Sequence, residues 1–253
     1  MKLHVYKNKE ELSYELALWI ANLISSTLKK QDFFSLVLSG GNTPKSLYIK
    51  LAEDEFKKII NWKKVYIFWG DERYVPFDDS RNNAKMAFET LLNKIDIPRK
   101  NINEIKTDIT PQKSAEQYEN TIKTYFEETK NYFDLVLLGI GDDGHTLSIF
   151  PNSPLINEEE KWVCAAFNDE QKMYRITLMP ALINNSKNIA FMVEGTNKAE
   201  VLNRIIYGNV EPLKFPSQLI SAIDGELHWF LDEEAASRLS KDKEENDFLG
   251  HVL

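Results

Sequence analysis

The run Phe133-Asp134-Leu135-Val136-Leu137-Leu138-Gly139-Ile140-Gly141-Asp142-Asp143-Gly144-His145 decides the fold. Its first half is apolar without alternation, as expected of a central parallel strand covered by helices on both faces. Its second half changes abruptly to Gly, Asp and His, the composition of a turn. Two other stretches repeat the pattern. Phe33–Ser39, with Leu36-Val37-Leu38 at its centre, runs into Gly40-Gly41-Asn42-Thr43-Pro44, and Val65–Trp69 runs into Gly70-Asp71-Glu72-Arg73. In an open parallel sheet, ligands bind beyond the carboxyl ends of the strands. If these three strands are parallel neighbours, their loops crowd onto one rim and form one site.

Working outward, β-branched and aromatic runs predict further strands at Trp162–Phe167, Tyr174–Leu178, Ile189–Val193 and Leu227–Leu231. Helical spacing appears between them. Leu12, Leu16, Trp19, Ile20, Leu23 and Ile24 fall on one helical face, with Asn8 and Glu11 as the capping pair. Thr43-Pro44 reads as an N-cap followed by proline at the first helical position, and Ser114–Lys130 as a surface helix. Alternating strands and helices imply an α/β fold, a doubly wound and mostly parallel sheet with helices on both faces. The 10 glycines and 9 prolines are scattered, so residues 1–240 read as a single domain. Residues 241–253 read as a charged tail that frays, with Phe248-Leu249 docking back.

Composition bounds the partners. With 43% hydrophobic residues among 253, the chain can bury a substantial core, which excludes intrinsic disorder. Thirty-one basic against 39 acidic residues give a net charge of −8, which speaks against nucleic acid as a partner, because that needs an excess of clustered Lys and Arg. No uncharged apolar run approaches the roughly 18 residues of a membrane span, and Met1–Tyr6 leads directly into charged residues rather than a signal-peptide core. The lone Cys164 allows neither an internal disulfide nor a cysteine-only zinc site. A soluble, cytoplasmic protein is expected; its oligomeric state is not legible.

Candidate chemistry gathers in the three loops. Gly40 and Gly41 ahead of a helix start would leave backbone N–H groups free near the positive end of the helix dipole, a setting for phosphate or a developing oxyanion. An ordinary tight turn would use the same two residues. Arg73, beside Asp71, could hold a phosphate through charge-assisted hydrogen bonds, or form a solvated ion pair. Gly139–Gly144 satisfies G-x-G-x-x-G, but Pro151 and Pro154 cut short the helix that a dinucleotide site requires. His145 lies at a strand end rather than on an apolar face, and an imidazole suits proton transfer near neutrality. Asp143, two residues before it, can orient the ring. A metal site from Asp71, Asp142, Asp143 and His145 shows no recognised ligand spacing. Arg175 and Lys198, at later strand edges, could complete an anion pocket. Cys164, Trp19, Trp62 and Trp229 read as core, and no G-x-S-x-G elbow is present.

Taken together, these motifs resemble the 6-phosphogluconolactonase family. The resemblance rests on Leu38–Pro44, Asp71–Pro76, Gly139–Pro151, Arg175–Leu178, Gly195–Leu202, Pro216–Leu219 and Trp229–Asp232, in order along nearly the whole chain. It implies a fold akin to glucosamine-6-phosphate deaminase and ribose-5-phosphate isomerase. It also implies hydrolysis of 6-phosphogluconolactone to 6-phosphogluconate in the oxidative pentose phosphate route, without metal or organic cofactor. By the same resemblance His145 is the general base with Asp143 beside it. Arg73 and Arg175 are phosphate or substrate ligands, and Gly40, Gly41, Asn42 and Thr43 belong to the substrate cradle; Lys198 matches a recurrent family lysine, and Asp71 a substrate-site position. Asn42 and Asn82 stand where the family often has serine, Leu147 where alanine is usual, and Met179 where threonine is usual. Two other readings stay open: a glucosamine-6-phosphate deaminase-like isomerising enzyme, and a non-catalytic sugar-phosphate-binding regulator. Arg73 in place of the deaminases' tyrosine, and no carboxylate in Thr146–Pro151, speak against the first. Asp143 and His145 speak against the second.

Overall fold

The computed structural model describes residues 1–129 and 132–239. Its strands are β1 (Lys2–Tyr6), β2 (Phe34–Leu38), β3 (Val65–Trp69), β4 (Asp71–Arg73), β5 (Leu135–Leu138), β6 (Val163–Asn168), β7 (Met173–Leu178), β8 (Asn188–Val193) and β9 (Glu226–Asp232). The helices are α1 (Lys9–Thr27), α2 (Asn42–Leu51), α3 (Asp54–Ile59), α4 (Asn83–Thr90), α5 (Pro111–Thr129), α6 (Pro180–Ile183), α7 (Ala199–Tyr207) and α8 (Glu233–Ala236).

Six strands form one parallel sheet in the order β1-β9-β8-β5-β2-β3. The two strands that read as unalternating apolar runs, β2 and β5, lie side by side in its interior, and every residue of both is buried. Burial on both faces is what removes the alternation. Helices supply the cover. Tyr66 and Phe68 of β3 pack against Tyr125 of α5, whereas His228 and Phe230 of β9 pack against Trp19 of α1. On the other face of β9, Trp229 stacks on its register partner Phe191 at 4.0 Å.

A buried carboxylate ties the amino ends of three strands together. Asp134 accepts hydrogen bonds from the Ser35 backbone N–H at 2.8 Å and from Lys187 Nζ at 2.9 Å. It thereby joins the starts of β2, β5 and β8, and leaves the opposite ends to carry loops.

The chain leaves the parallel sheet at Gly70. The Gly70 N–H donates to the Leu38 carbonyl at 2.9 Å, and its own carbonyl accepts from Leu178 N–H at 2.8 Å. The strand that follows joins a second, antiparallel sheet, β4-β7-β6. The sequence reading placed Gly70–Arg73 entirely in a loop; Asp71–Arg73 is instead β4, paired Asp71 to Thr177 and Arg73 to Arg175. Three consecutive charged residues carry no strand signal, and their pairing is imposed by β7. The edge strand β1 was also unforeseen, because its residues are half exposed and alternate weakly.

The helix starts that were read fall within three residues of the observed ones, Ser114 against Pro111 of α5 being the furthest off. The Asn8 side chain accepts from Glu11 N–H at 3.0 Å, and the Glu11 carboxylate accepts in turn from Lys7 N–H. Thr43 does not cap α2. The N-cap is Gly41, at φ 100°, with no side-chain cap, and Thr43 and Pro44 lie inside the first turn. The left-handed glycine steers the chain into the helix without a capping side chain. Asn82 caps α4 by accepting from Lys85 N–H at 2.8 Å, so asparagine there does the work a serine would do. The predicted docking of Phe248-Leu249 lies outside the described residues.

Burial lowers the His228 imidazole to about 4, against the pull of Glu226, and neighbouring His4 is lowered by burial as well. In the unfolded chain an imidazole titrates near 6.5. The unfolded state therefore takes up the proton first, so this contribution to stability is fully present above about pH 6.5 and is lost as pH falls toward 4. Urea midpoints measured across that interval should drop more steeply for the unmodified chain than for His228→Leu. Parallel slopes would contradict the assignment.

Candidate active site

A cleft of about 440 Å³ opens at the carboxyl ends of the parallel strands. Gly40 and Gly41 reach it from the turn between β2 and α2, Asn42 and Thr43 from the first turn of α2, Asp71 and Arg73 from β4, and His145 from the turn after β5. Arg175 joins from β7 and Lys198 from the turn after β8. Residues remote in sequence therefore share one hollow, because their strands end on the same rim. Asp143 stands behind His145, and with Arg175 borders a neighbouring cavity of about 480 Å³.

The imidazole is held firmly. His145 Nδ1 lies 2.6 Å from Asp143 Oδ1, which also accepts the His145 backbone N–H at 3.1 Å. Burial pushes the Asp143 carboxyl up, but the ring hydrogen bond and charge of His145 outweigh it and leave it below the usual carboxylate range. An ionised carboxylate only accepts, so Nδ1 carries a proton, and in the neutral ring the lone pair is on Nε2. Phe150 lies against the ring at 4.4 Å. The turn closes tightly, with Gly141 N–H donating to the His145 carbonyl at 2.8 Å and Gly144 at φ 82°. A Cβ on Gly141 would come within 2.0 Å of His145 Nδ1 and 2.4 Å of Asp143 Oδ1. The absent side chain is the space the pair occupies.

The guanidiniums form the second half of the site. Arg73 and Arg175 are direct register partners in the β4–β7 ladder, so their side chains leave the sheet on the same face. Arg175 is 3% exposed. Its Nε donates to Ser148 Oγ at 2.9 Å, its Nη2 lies 3.4 Å from Asp71 Oδ2, and Ser148 Oγ donates to that same oxygen at 2.5 Å. Burial lowers its pKa while Asp71 opposes the shift. Arg175 Nη1 and Arg73 Nε are both buried without a protein partner. Two cations lining one cleft have the charge to bind a multivalent anion.

Lys198 forms an ion pair with Asp142, whose carboxylate also accepts from Asn197 Nδ2 at 2.9 Å. Asp71, Asp142 and Asp143 are thus each bonded to a protein donor. Among the described residues no group of three or more His, Cys, Asp or Glu is arranged to hold a metal ion. Cys164 is buried and its thiol is pushed up to about 11.

Several participants were not anticipated. Glu194 lines the cleft at the end of β8, with its pKa raised by burial against a hydrogen bond from Thr43; its position directly after a predicted strand was the available signal. Glu72, fully buried, points away from the cleft. Its carboxylate accepts from the backbone N–H groups of Arg73, Asn83 and Ala84 at 2.7–2.8 Å, and burial still pushes it up to about 7. Ser148 had no signal beyond its nearness to His145. Leu147 lines the cleft at φ 56°, and its Cδ2 would lie 2.8 Å from a Cβ on Gly70. Glycine at 70 is what accommodates leucine at 147.

A carboxylate-held imidazole beside paired guanidiniums is equipment for hydrolysing a small anionic substrate. Comparison with known proteins agrees in kind. Residues 7–229 match the family model for glucosamine-6-phosphate isomerases/6-phosphogluconolactonase. A 6-phosphogluconolactonase of Synechocystis sp. is 35% identical over 94% of this chain and 98% of its own. A solved 6-phosphogluconolactonase of Trypanosoma brucei superposes with a TM-score of 0.83 at 29% identity, covering 94% of this chain and 98% of that one. A monomeric glucosamine-6-phosphate deaminase, 21% identical over 94% of this chain and all of its own, shares the fold with a TM-score of 0.80. The chain belongs to the glucosamine-6-phosphate isomerase/6-phosphogluconolactonase family.

Replacing Gly141 by alanine should displace the His145–Asp143 pair while leaving the core intact. The downfield Nδ1 proton resonance of His145 is expected to disappear from the NMR spectrum with little change in the unfolding midpoint. Its persistence would show that the turn absorbs the methyl group.

Proposed function

We propose that this chain hydrolyses 6-phospho-D-glucono-1,5-lactone to 6-phospho-D-gluconate, the lactonase step of the oxidative pentose phosphate route, in the cytoplasm. One observation carries the reading: the His145 imidazole, held by Asp143 at 2.6 Å, lies on the same cleft as Arg73 and Arg175, register partners in the β4–β7 ladder. The family relatives supply the substrate that fits such a pair.

The chemistry follows from the groups present. A lactone carbonyl is an activated ester, so water can attack C1 directly. His145 Nε2 takes the proton as water adds, a contribution of about 10²–10⁴-fold in known general-base enzymes. Asp143 keeps the tautomer correct and stabilises the imidazolium that forms. Backbone N–H groups of the Gly40–Gly41 turn, with Asn42 and Thr43 beside them, are donors for the anionic parts of substrate and transition state. The imidazolium then returns its proton to the ring oxygen as the C1–O bond breaks, which frees the acid. Arg73, Arg175 and Lys198 bind the phosphate far from C1 and so spend its binding energy on orientation. Asp71 takes part by holding Arg175 in place. The chain's net charge of −8 opposes an anionic substrate, but at physiological salt charges beyond about 8 Å are largely screened, so the local cations govern.

The decisive assay generates the lactone in situ and measures hydrolysis above a no-enzyme blank. His145→Ala should lower kcat by about 10²–10⁴-fold with little change in KM. Arg73→Ala should instead raise KM by about 10–100-fold, the loss of one charge-assisted contact of roughly 1.5–3 kcal/mol. Equal effects of both changes on both parameters would overturn the roles. Ammonia release from glucosamine 6-phosphate, without lactone turnover, would replace the reading with the deaminase one, and binding of 6-phosphogluconate without turnover would replace it with a regulator.

A further inference from the structure

We infer that Asn83 is a positioning residue for this site: its carboxamide, pressed against Gly40 and bonded to the Asp71 carbonyl, locks the Gly40–Gly41 turn to the strand that carries Arg73. The inference rests on the lactonase reading for its effect on turnover.

Asn83 is the first residue of α4 and is 2% exposed. Its Nδ2 donates to the Asp71 carbonyl at 2.9 Å, and its backbone N–H donates to Glu72 Oε1 at 2.7 Å. A Cβ built on Gly40 would fall 2.1–2.3 Å from Oδ1, Cγ and Nδ2 of Asn83 together. Three near-equal distances mean that a Gly40 side chain would be driven into the whole carboxamide rather than against one end of it. Glycine at 40 is therefore explained by this contact, since its φ is not in the left-handed region, whereas Gly41 has open space around it and a φ of 100°.

The platform beneath Asn83 is rigid. Glu72 gathers the N–H groups of Arg73, Asn83 and Ala84, fixing the amino end of α4 to β4. Asn82 closes the first turn through Lys85 N–H. On the other side, the Tyr48 hydroxyl holds Ser39, accepting from its N–H at 2.9 Å and donating to its carbonyl at 2.7 Å. Ser39 is thus held by Tyr48 and Gly40 by Asn83, and the amides of the turn are set between two fixed points. Asn83 reaches the Asp71 carbonyl and packs against Gly40 at once. A leucine would leave that carbonyl without its donor, and an aspartate would face it with a carboxylate.

The test compares Gly40→Ala, Asn83→Ala and the double variant Gly40→Ala/Asn83→Ala in the full chain. A misplacement of about 1 Å at a catalytic geometry costs about 10²-fold. Gly40→Ala should therefore lose about 100-fold in kcat/KM, and Asn83→Ala about 10-fold, mainly in kcat. The double variant should regain at least about tenfold over Gly40→Ala, because the new methyl occupies the vacated amide space. A double variant no better than Gly40→Ala, or Asn83→Ala with unchanged kcat and KM, would overturn the inference while leaving the lactonase reading standing. Should Asn83→Ala not fold, Asn83→Ser carries the same expectation. A second readout needs no turnover. In ¹⁵N-glycine spectra, the Gly40 and Gly41 amides should shift and exchange faster in the Asn83 variant, with Gly208 and Gly225 unmoved. Unmoved Gly40 and Gly41 signals would overturn the inference even if the unmodified chain proved inactive on the lactone.

Discussion

Two guanidiniums stand directly opposite each other across the β4–β7 ladder, and the site is arranged around that repulsion. Like charges facing across an antiparallel pair are unfavourable. Here Asp71, two residues before Arg73 on the same face, offsets part of the cost through Arg175 and Ser148. The remainder is uncompensated, and Arg73 Nε and Arg175 Nη1 stay buried without a protein partner. Truncating Asp71 would leave a nearly buried guanidinium with a hydroxyl partner alone, far costlier than losing a surface ion pair.

The parallel sheet contributes geometry rather than contacts. Asp134 ties the amino ends of β2, β5 and β8 together, while the carboxyl ends splay into loops that supply the imidazole, the glycine turn and Lys198. Gly70 hands the chain to the antiparallel sheet and so brings the arginines to that rim. Three glycines of the site are explained by something occupying the space of the missing side chain: Asn83 at Gly40, Leu147 at Gly70, and the His145–Asp143 pair at Gly141; Gly41 is explained by its positive φ instead.

The strand-to-loop arrangement was legible in the sequence because burial on both faces and turn composition leave strong local signals. β2, β3 and β5 do end on one rim, and His145, Arg73, Arg175 and Lys198 do share one cleft. β4 was not legible, because Asp71-Glu72-Arg73 is paired by partners a hundred residues away and has no propensity of its own. Glu72 and Asn83 escaped for a related reason: a charged residue in an apparent loop and an asparagine at a helix start both look solvated until the fold closes over them. Asp142 read as part of an acidic turn, and only the approach of the β8–α7 turn makes it the partner of Lys198.

The pairing of β4 also constrains chain length. Asp71 and Arg73 face the cleft, whereas Glu72 faces the amino end of α4. Slipping a β-strand by one position reverses every side chain on it. One residue inserted between Trp69 and Arg73 would therefore aim the glutamate into the cleft and turn an aspartate or an arginine toward backbone donors shaped for a carboxylate. The hairpin bend at 169–172 carries no such demand. Related chains should vary freely in length there and hardly at all in the four residues after Trp69.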